Sequence, residues 1–494
     1  MAHRSDHTWE ETVVPTHQNP ILVAAKAAPV AHERVDGVVV ARLNGSTGSV
    51  AGDIARRFAV TVVSSAATPA DLEMAEQHPG GMSVQSASGH PVRLRLVQHA
   101  PETLSADNYG YVTELLWHSM HTLWDGPTEP TFDDRARRAW AALEVLDADI
   151  AAALHESAGS QGGAVYLVQD YQLALVPRQL REVDPTARIL YFHHIAWPSP
   201  DGLSVLPSDI VADIMNGVLA ADVVAFFAHR WRRQFLRTVS DLVPDAVVDH
   251  DAATVGYQGR TVKVVVEPLS YSPDALTALP RNLPDDVAAW AADRPLVVHA
   301  GRTDPIKNAD RAVAAFEYAS ASGPAAESRM LIRMQPHRLG IAANDEYLTR
   351  VARAVARANA RFGEERVRLL VGDDRTITIG CLARADVVMV NSVIDGQNLT
   401  AFECSVAGDR APVLIISPTC GASEVLGADA LTVNPFDIVE GAAAINAAIA
   451  MAPEERSARA ARMRTIGQAI ALPIWAARQL GLVDRDSATA SSAP

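Results

Sequence analysis

PLVVHAGRTDPIKNADRAVAAF (295–316) runs from an apolar strand, through a short loop, into an amphipathic helix. The apolar run ends at Gly301, Pro305 stiffens the loop, and the apolar spacing beyond Asn308 has a helical period. A strand that passes at once into a helix is half of a βαβ unit. That unit builds a parallel sheet with helices on both faces. The loop carries Arg302 and Lys307. Two cations at a strand end suit a diphosphate, because they offset charge on a leaving group as its bond breaks. A solvated basic loop is the alternative.

The same pattern repeats in both directions. RMLIRMQ (329–335), RVRLLVG (366–372), ADVVMVN (385–391) and APVLIIS (411–417) follow as apolar runs interleaved with helices. Upstream lie ILVAA (21–25), AVTVVSS (59–65), AVYLVQD (164–170), RILYFHH (188–194), DVVAFFA (222–228) and VKVVVEP (262–268). FDDRARRAWAALEVLDADIAAALHE (132–156) has a helical period, and AAINAAIAMAPEERSARAARMRTIGQAIA (443–471) reads as one or two amphipathic helices. EPLSYSPDAL (267–276), with two prolines at a strand end, is the expected linker. The fold class is α/β, with two Rossmann-like doubly wound domains facing a cleft, over 21–270 and 271–465. Residues 466–485 form a helix crossing back to the first domain, and 1–20 and 486–494 are disordered tails. Ligands then sit at the carboxyl ends of the strands. The linker and the C-terminal helices are the hinge candidates for domain closure.

A chain of 494 residues is too long for one core, and 48% hydrophobic with 20% charged residues is globular. The formal charge of −15 gives no support for nucleic-acid or anionic-membrane binding. An anionic substrate needs a locally basic pocket. Cys381, Cys404 and Cys420 form no C-x-x-C pair, so they read as buried small hydrophobes in a reduced, cytoplasmic protein. The first twenty residues lack the apolar core of a signal peptide, and no run approaches a membrane span.

Further chemistry clusters at strand ends. NGSTGSV (44–50), with Gly48, is a Gly-rich turn that could approach a phosphate or simply reverse the chain. YLVQDYQ places Asp170, and YFHHIAW places His193 and His194, at neighbouring strand ends, where a carboxylate and an imidazole can handle hydroxyls or a proton. Their bland readings are a helix cap and a histidine bonded to a carbonyl. A metal on the His-His pair lacks a visible third ligand, so the metal expectation is none. RMQPHRLG offers Arg333, His337 and Arg338 as a phosphate clamp or as surface charge. NSVIDGQNLTAFE (391–403) ends a strand, turns at Asp395-Gly396, and starts a helix near Asn398. Backbone N–H groups there would face anionic or hydroxyl groups. Glu403 lies about 7–8 Å along that helix, a reach that suits a ribose diol.

With these segments in place, the chain resembles the trehalose-6-phosphate synthase family of retaining glycosyltransferases, of GT-B fold, from about residue 20 to 480. The family's donor-diphosphate pair is met by Arg302 and Lys307. Its Asp-Gly-x-Asn-Leu…Glu motif is met by Asp395, Gly396, Asn398, Leu399 and Glu403, with Gln397 standing where the synthases have Met. Its His-Asp-Tyr segment appears as Gln169-Asp170-Tyr171, and its His-Ile-x-x-Pro segment begins at His194. The resemblance makes the second domain the donor side and the first the acceptor side. Where the synthases have Ser-Asn-Arg this chain has Ala24-Ala25-Lys26-Ala27, so Lys26 is the cation nearest the acceptor phosphate. The tyrosine expected before Leu116-Trp117 is out of register, with Asn108 near its place.

Donor residues are kept while acceptor residues change. GRTDPIKNA, DGQNL, TCGASEVLG and VNPFD are similar to the pseudoglycosyltransferase branch of that family, which joins two cyclitols through nitrogen in aminocyclitol antibiotic biosynthesis. The branch implies a GDP-valienol donor and an amino-cyclitol phosphate acceptor such as validamine 7-phosphate. The product is then validoxylamine A 7′-phosphate, formed with retention and without a metal or other cofactor. In it Asp170, His194, Arg302 and Lys307 are catalytic, and Lys26, Arg333 and Arg338 hold the acceptor phosphate. The guanine follows from the resemblance alone. A sugar transferase making trehalose 6-phosphate, and a catalytically dead nucleotide-binding regulator, remain the other readings. The expected partners are small-molecule substrates and at most a second copy as a homodimer; nucleic acid and membrane are not among them.

Overall fold

The computed structural model describes residues 20–43, 54, 58–86, 90–159, 163–337, 342–408 and 410–483. The two expected tails (but for Pro20), the loop with Gly48, and Arg338 lie outside the described residues.

The first sheet has ten strands among the described residues. From one edge they are Val247–Asp249, Thr254–Tyr257, Arg260–Val266, Val223–Phe226, Arg188–His193, Val165–Gln169, Ile21–Ala24, Val60–Ser65, Pro91–Val97 and Met82–Gln85. The seven from Arg260–Val266 through Pro91–Val97 pair in parallel, and only the edges are antiparallel. The second sheet is wholly parallel, in the order Val367–Val371, Arg329–Gln335, Leu296–Arg302, Val387–Val390, Val413–Ile416, Leu431–Thr432. In both sheets the first strand lies centrally, and the chain winds out first to one side and then to the other. Each sheet therefore has a switch point beside its first strand, where a crevice opens.

Burial on both faces explains the continuous apolar runs. Ile21 and Val23 pack into one core while Leu22 and Ala24 pack into the other, and Val165, Leu167, Tyr166 and Val168 divide the same way. The second sheet repeats this, with Leu296, Val298 and Ala300 on one face and Val297 on the other.

Two hairpins escape a reading built on such runs. Val30–Val35 pairs with Val38–Leu43 around Asp36 and Gly37, at φ 50° and 82°. Thr254–Tyr257 pairs with Arg260–Val266 around Gln258 and Gly259, at φ 47° and 74°. Two successive positive φ values make the turn whose twist suits a two-residue hairpin. The segment 443–471 falls in two helices, Ile438–Ala450 and Pro453–Ala469, because Pro453 cannot continue a helix but can start one.

The chain crosses between domains twice, side by side. Ser270 N–H donates to the Ile470 carbonyl at 3.0 Å, and Leu472 N–H to that of Tyr271 at 3.1 Å. Helix Leu472–Val483 then buries Leu472, Trp475, Ala476, Leu480 and Val483 on a face of the first sheet. Trp475 Nε1–H reaches the Glu267 carbonyl at 3.0 Å, so linker and returning helix are tied together.

Candidate active site

The two switch points meet at one seam. On the second sheet, strands Leu296–Arg302 and Val387–Val390 flank the crevice, and the loops after them carry Lys307 and Asp395. The Lys307 ammonium lies 2.5 Å from Asp395 Oδ2, and both residues are buried. Asp395 also accepts from Asn398 Nδ2 at 2.9 Å and from Ser392 Oγ at 3.2 Å. Burial pushes its carboxyl up, but Lys307, the Asn398 amide and Arg302 outweigh burial and hold it below the ordinary carboxylate value. Lysine and carboxylate thus stand as a buried pair inside the cleft. Arg302 is half-buried, with its guanidinium 5.3 Å from the centre of the Trp117 ring in the first domain. Two cations thus stand at one switch point, one neutralised by a carboxylate and one resting on an aromatic face.

On the first sheet the crevice opens between Ile21–Ala24 and Val165–Gln169. Asp170 follows the latter with φ 79° and ψ 165°, a region almost reserved for glycine and costing of order 1–3 kcal/mol. Its Oδ1 accepts from Tyr171 N–H at 2.8 Å and from His194 N–H at 3.3 Å. Strain held in place by such bonds marks a carboxylate whose position matters. The two histidines separate cleanly. His193 is buried, bonded to Tyr191 OH at 3.0 Å and to the Ala196 carbonyl at 3.2 Å, and burial lowers it to about 3, so it is a neutral core residue. His194 is half-buried and bonds Gln169 Oε1 through Nε2 at 2.8 Å. Lys26 sits at the end of the first strand with its ammonium 4.7 Å from the centre of the Tyr109 ring. Asn108, by contrast, is spent locally, its Nδ2 donating to the Glu102 carbonyl at 2.9 Å.

Several expected ligand-facing residues turn elsewhere. Arg333 does not present its guanidinium to an acceptor phosphate. It is buried and donates to Thr378 Oγ1 and to the carbonyls of Met334, Leu370 and Asp374 at 2.9–3.4 Å. Arg333→Met should therefore lower stability by roughly 2–3 kcal/mol, as buried carbonyls lose a charged donor. The KM for a phosphorylated acceptor should stay within a few-fold of native. Thermal unfolding and acceptor titration separate the two. The Gln397 amide nitrogen likewise turns to the linker, donating to the carbonyl of Leu269 at 2.7 Å. The helix expected from Asn398 is one turn, Thr400–Glu403, after a left-handed Asn398 at φ 74°. Glu403 therefore ends the turn, and its carboxylate meets Arg375 Nη2 at 2.5 Å. Leu399 packs on the first domain's core.

Other residues that complete the seam carried no sequence signal of their own. His121 stacks on Trp117 at 4.0 Å, and burial lowers it to about 4. Helix His229–Leu242 has no side-chain cap from its own domain, and Glu424 of the second domain accepts from His229 and Arg230 N–H at 2.6 and 2.8 Å. Trp231 Nε1–H donates to the Gly396 carbonyl at 2.9 Å. The three cysteines are buried and unpaired, as expected. Among the described residues no group of three or more His, Cys, Asp or Glu could hold a metal, and no helix is long and apolar enough to cross a membrane.

Two doubly wound domains whose switch points meet, with cations on one side and a carboxylate and imidazole on the other, define a GT-B transferase. The chain belongs to glycosyltransferase family 20, whose description matches residues 28–480. It is 42% identical, over 90% of its length and 89% of the relative's, to a validamine 7-phosphate valienyltransferase of Streptomyces hygroscopicus subsp. jinggangensis. Its fold matches an Escherichia coli structure described as trehalose-6-phosphate bound with UDP-2-fluoro glucose, with TM-score 0.79 at 20% identity over 94% of this chain and 99% of that one. It also matches a Burkholderia xenovorans trehalose-phosphate synthase in complex with glucose-6-phosphate, with TM-score 0.77 at 21% identity over 94% and 99%.

Proposed function

We propose that this transferase moves a valienyl group from a nucleoside diphosphate, GDP by the family resemblance, to the amine of validamine 7-phosphate. The observation that carries this is the 42% identity to a valienyltransferase along nearly the whole of both chains. Two Arabidopsis thaliana relatives described as probable trehalose-phosphate synthases stand at 28% over 71% of this chain.

The site's chemistry fits. The bond from the ring carbon to the diphosphate oxygen breaks, leaving an allylic cation on the unsaturated ring. Arg302 and Lys307 take up the charge growing on the diphosphate, so this role needs no metal. The acceptor amine attacks the same carbon and forms the C–N bond. Its proton passes to an oxygen of the departing phosphate on the same face, giving retention and releasing GDP. Asp170 and His194 position the acceptor and the ring hydroxyls. Lys26 and Arg338 are assigned to the acceptor phosphate. Glu403 receives the ribose diol, with Arg375, more than half exposed, moving aside. The reaction is assigned to the cytoplasm.

The test offers GDP-valienol or GDP-glucose, each with validamine 7-phosphate or glucose 6-phosphate, and identifies the product by mass. A C–N-linked product from the first donor and the amine is expected. Trehalose 6-phosphate as the sole product overturns the reading in favour of a sugar transferase.

A further inference from the structure

His194 does not stand alone. Its Nε2 is 2.8 Å from Gln169 Oε1, and Gln169 Nε2 is 3.3 Å from Gln479 Oε1 on the returning C-terminal helix. Both glutamines are buried, at 1% and 0% exposure. The imidazole is packed edge-on among Phe192, Phe227 and Trp475, with ring centres 5.0, 5.3 and 6.2 Å away. Its other nitrogen, Nδ1, makes no hydrogen bond to the described residues. A histidine whose Nε2 is committed to a neutral carbonyl oxygen keeps its proton there, and Nδ1 then carries the lone pair.

We propose that Gln169, backed by Gln479, is a positioning residue that holds His194 neutral with its proton on Nε2, so that Nδ1 can accept from a hydroxyl of the bound ring. The proposal rests on the transfer reading above, since it assigns His194 to the substrate. An amide is the partner this job requires. A carboxylate at 169 would favour the imidazolium, which has no lone pair to offer and would repel an approaching ammonium. An alkyl group would leave Nε2–H buried without an acceptor and release the ring to the other tautomer. Burial lowers the pKa of His194, against the opposing charge of Asp170, in keeping with a neutral ring. The charged or titratable groups on the elements around it are few. They are Asp170 at the neighbouring strand end, neutral His193 beside it, and Arg478 on the C-terminal helix, itself 3.8 Å from Glu267. Beyond Gly396, in the second domain, lies the Lys307–Asp395 pair.

Two readouts test this on the full chain. The first is the nitrogen spectrum of histidine-labelled protein, with His194 assigned by its absence in His194→Asn. A neutral Nε2–H ring at pH 7 is expected. A ring proton on Nδ1, or an imidazolium, overturns the proposal. The second is the pH dependence of kcat/KM with GDP-valienol and validamine 7-phosphate. In Gln169→Glu the acid limb should move up by about one unit or more, because the new carboxylate raises the pKa of His194 and activity is lost as pH falls through it. Gln169→Leu should lower kcat/KM roughly 10- to 100-fold, as when the partner that orients a ligating side chain is removed. Gln479→Leu should do so by less, with unfolding profiles showing that each variant folds. An unmoved acid limb in a folded Gln169→Glu also overturns it. If the native enzyme transfers nothing to any amine, the transfer reading fails, and the spectrum alone still decides the role of Gln169.

Discussion

Lys307→Met is expected to lower kcat roughly 10²- to 10³-fold, the usual loss when one preorganised donor to a developing charge is removed. Methionine keeps the length of the stem, so the strand-end loop should keep its course. The ammonium at 2.5 Å from Asp395 is what disappears. That removal also has a stability signature with a definite sign. In the native protein the Asp395 carboxyl is held below its ordinary value. Its contribution to stability is therefore present above the unfolded value of about 3.9 and is lost as pH falls through the lower folded value. Without Lys307, burial is the largest influence left, and it pushes the carboxyl up. The variant then buries a carboxylate that has lost its ion-pair partner and keeps only Asn398, Ser392 and the more distant charge of Arg302, a loss of roughly 3 kcal/mol at neutral pH. That loss should fade as pH is lowered and the carboxyl protonates. Unfolding at pH 7 and pH 4, beside steady-state turnover, checks both halves. Turnover within a few-fold of native would remove Lys307 from the chemistry.

The reason this pair was legible in sequence is topological. Arg302 ends, and Lys307 and Asp395 follow, the two strands that flank the second switch point, and those strands are apolar because both faces of a parallel sheet are buried. Asp170 and His194 were legible on the same ground in the first domain, whereas Lys26 came from the family resemblance alone. Side-chain direction was not. Arg333 turns inward because its acceptors, Leu370 and Asp374, arrive some forty residues later on the neighbouring strand and loop. Gln397 is claimed by a linker carbonyl 128 residues upstream, and Gln169 by a glutamine 310 residues downstream. The cap that Glu424 supplies to helix His229–Leu242 depends on domain placement, which no local period encodes. The hairpin around Asp36-Gly37 is a different kind of miss. A D-G pair between valine-rich runs is a local hairpin signal, but its strands are not among the continuous apolar runs that mark the buried parallel sheets.

Gly396→Ala should abolish most turnover while sparing nucleotide binding, and the asymmetry follows from where a methyl group would go. A Cβ at Gly396 would collide with the carbonyl oxygen of His194 and stand 2.8 Å from the Cα of Ile195, both backbone atoms of the first domain. Gly396 cannot withdraw into its own domain. Its carbonyl is held by Trp231, the preceding Asp395 is bonded to Thr419 and Gly421 at 3.1 Å, and the Gly421 position packs directly on the Gly396 carbonyl. The alanine variant must therefore open the seam by roughly 1 Å, a displacement that costs on the order of 10²-fold in rate when it separates groups that act on one reacting centre. Arg302, Lys307 and Glu403 all lie on the second domain, so the Kd for GDP should change by no more than a few-fold. The strain sits between domains rather than in a core, so the unfolding midpoint should move little. A variant that kept native kcat would mean that the approach of Gly396 to His194 is not part of the reacting state, and that Asp170 and His194 act on a donor held farther away than this seam places them.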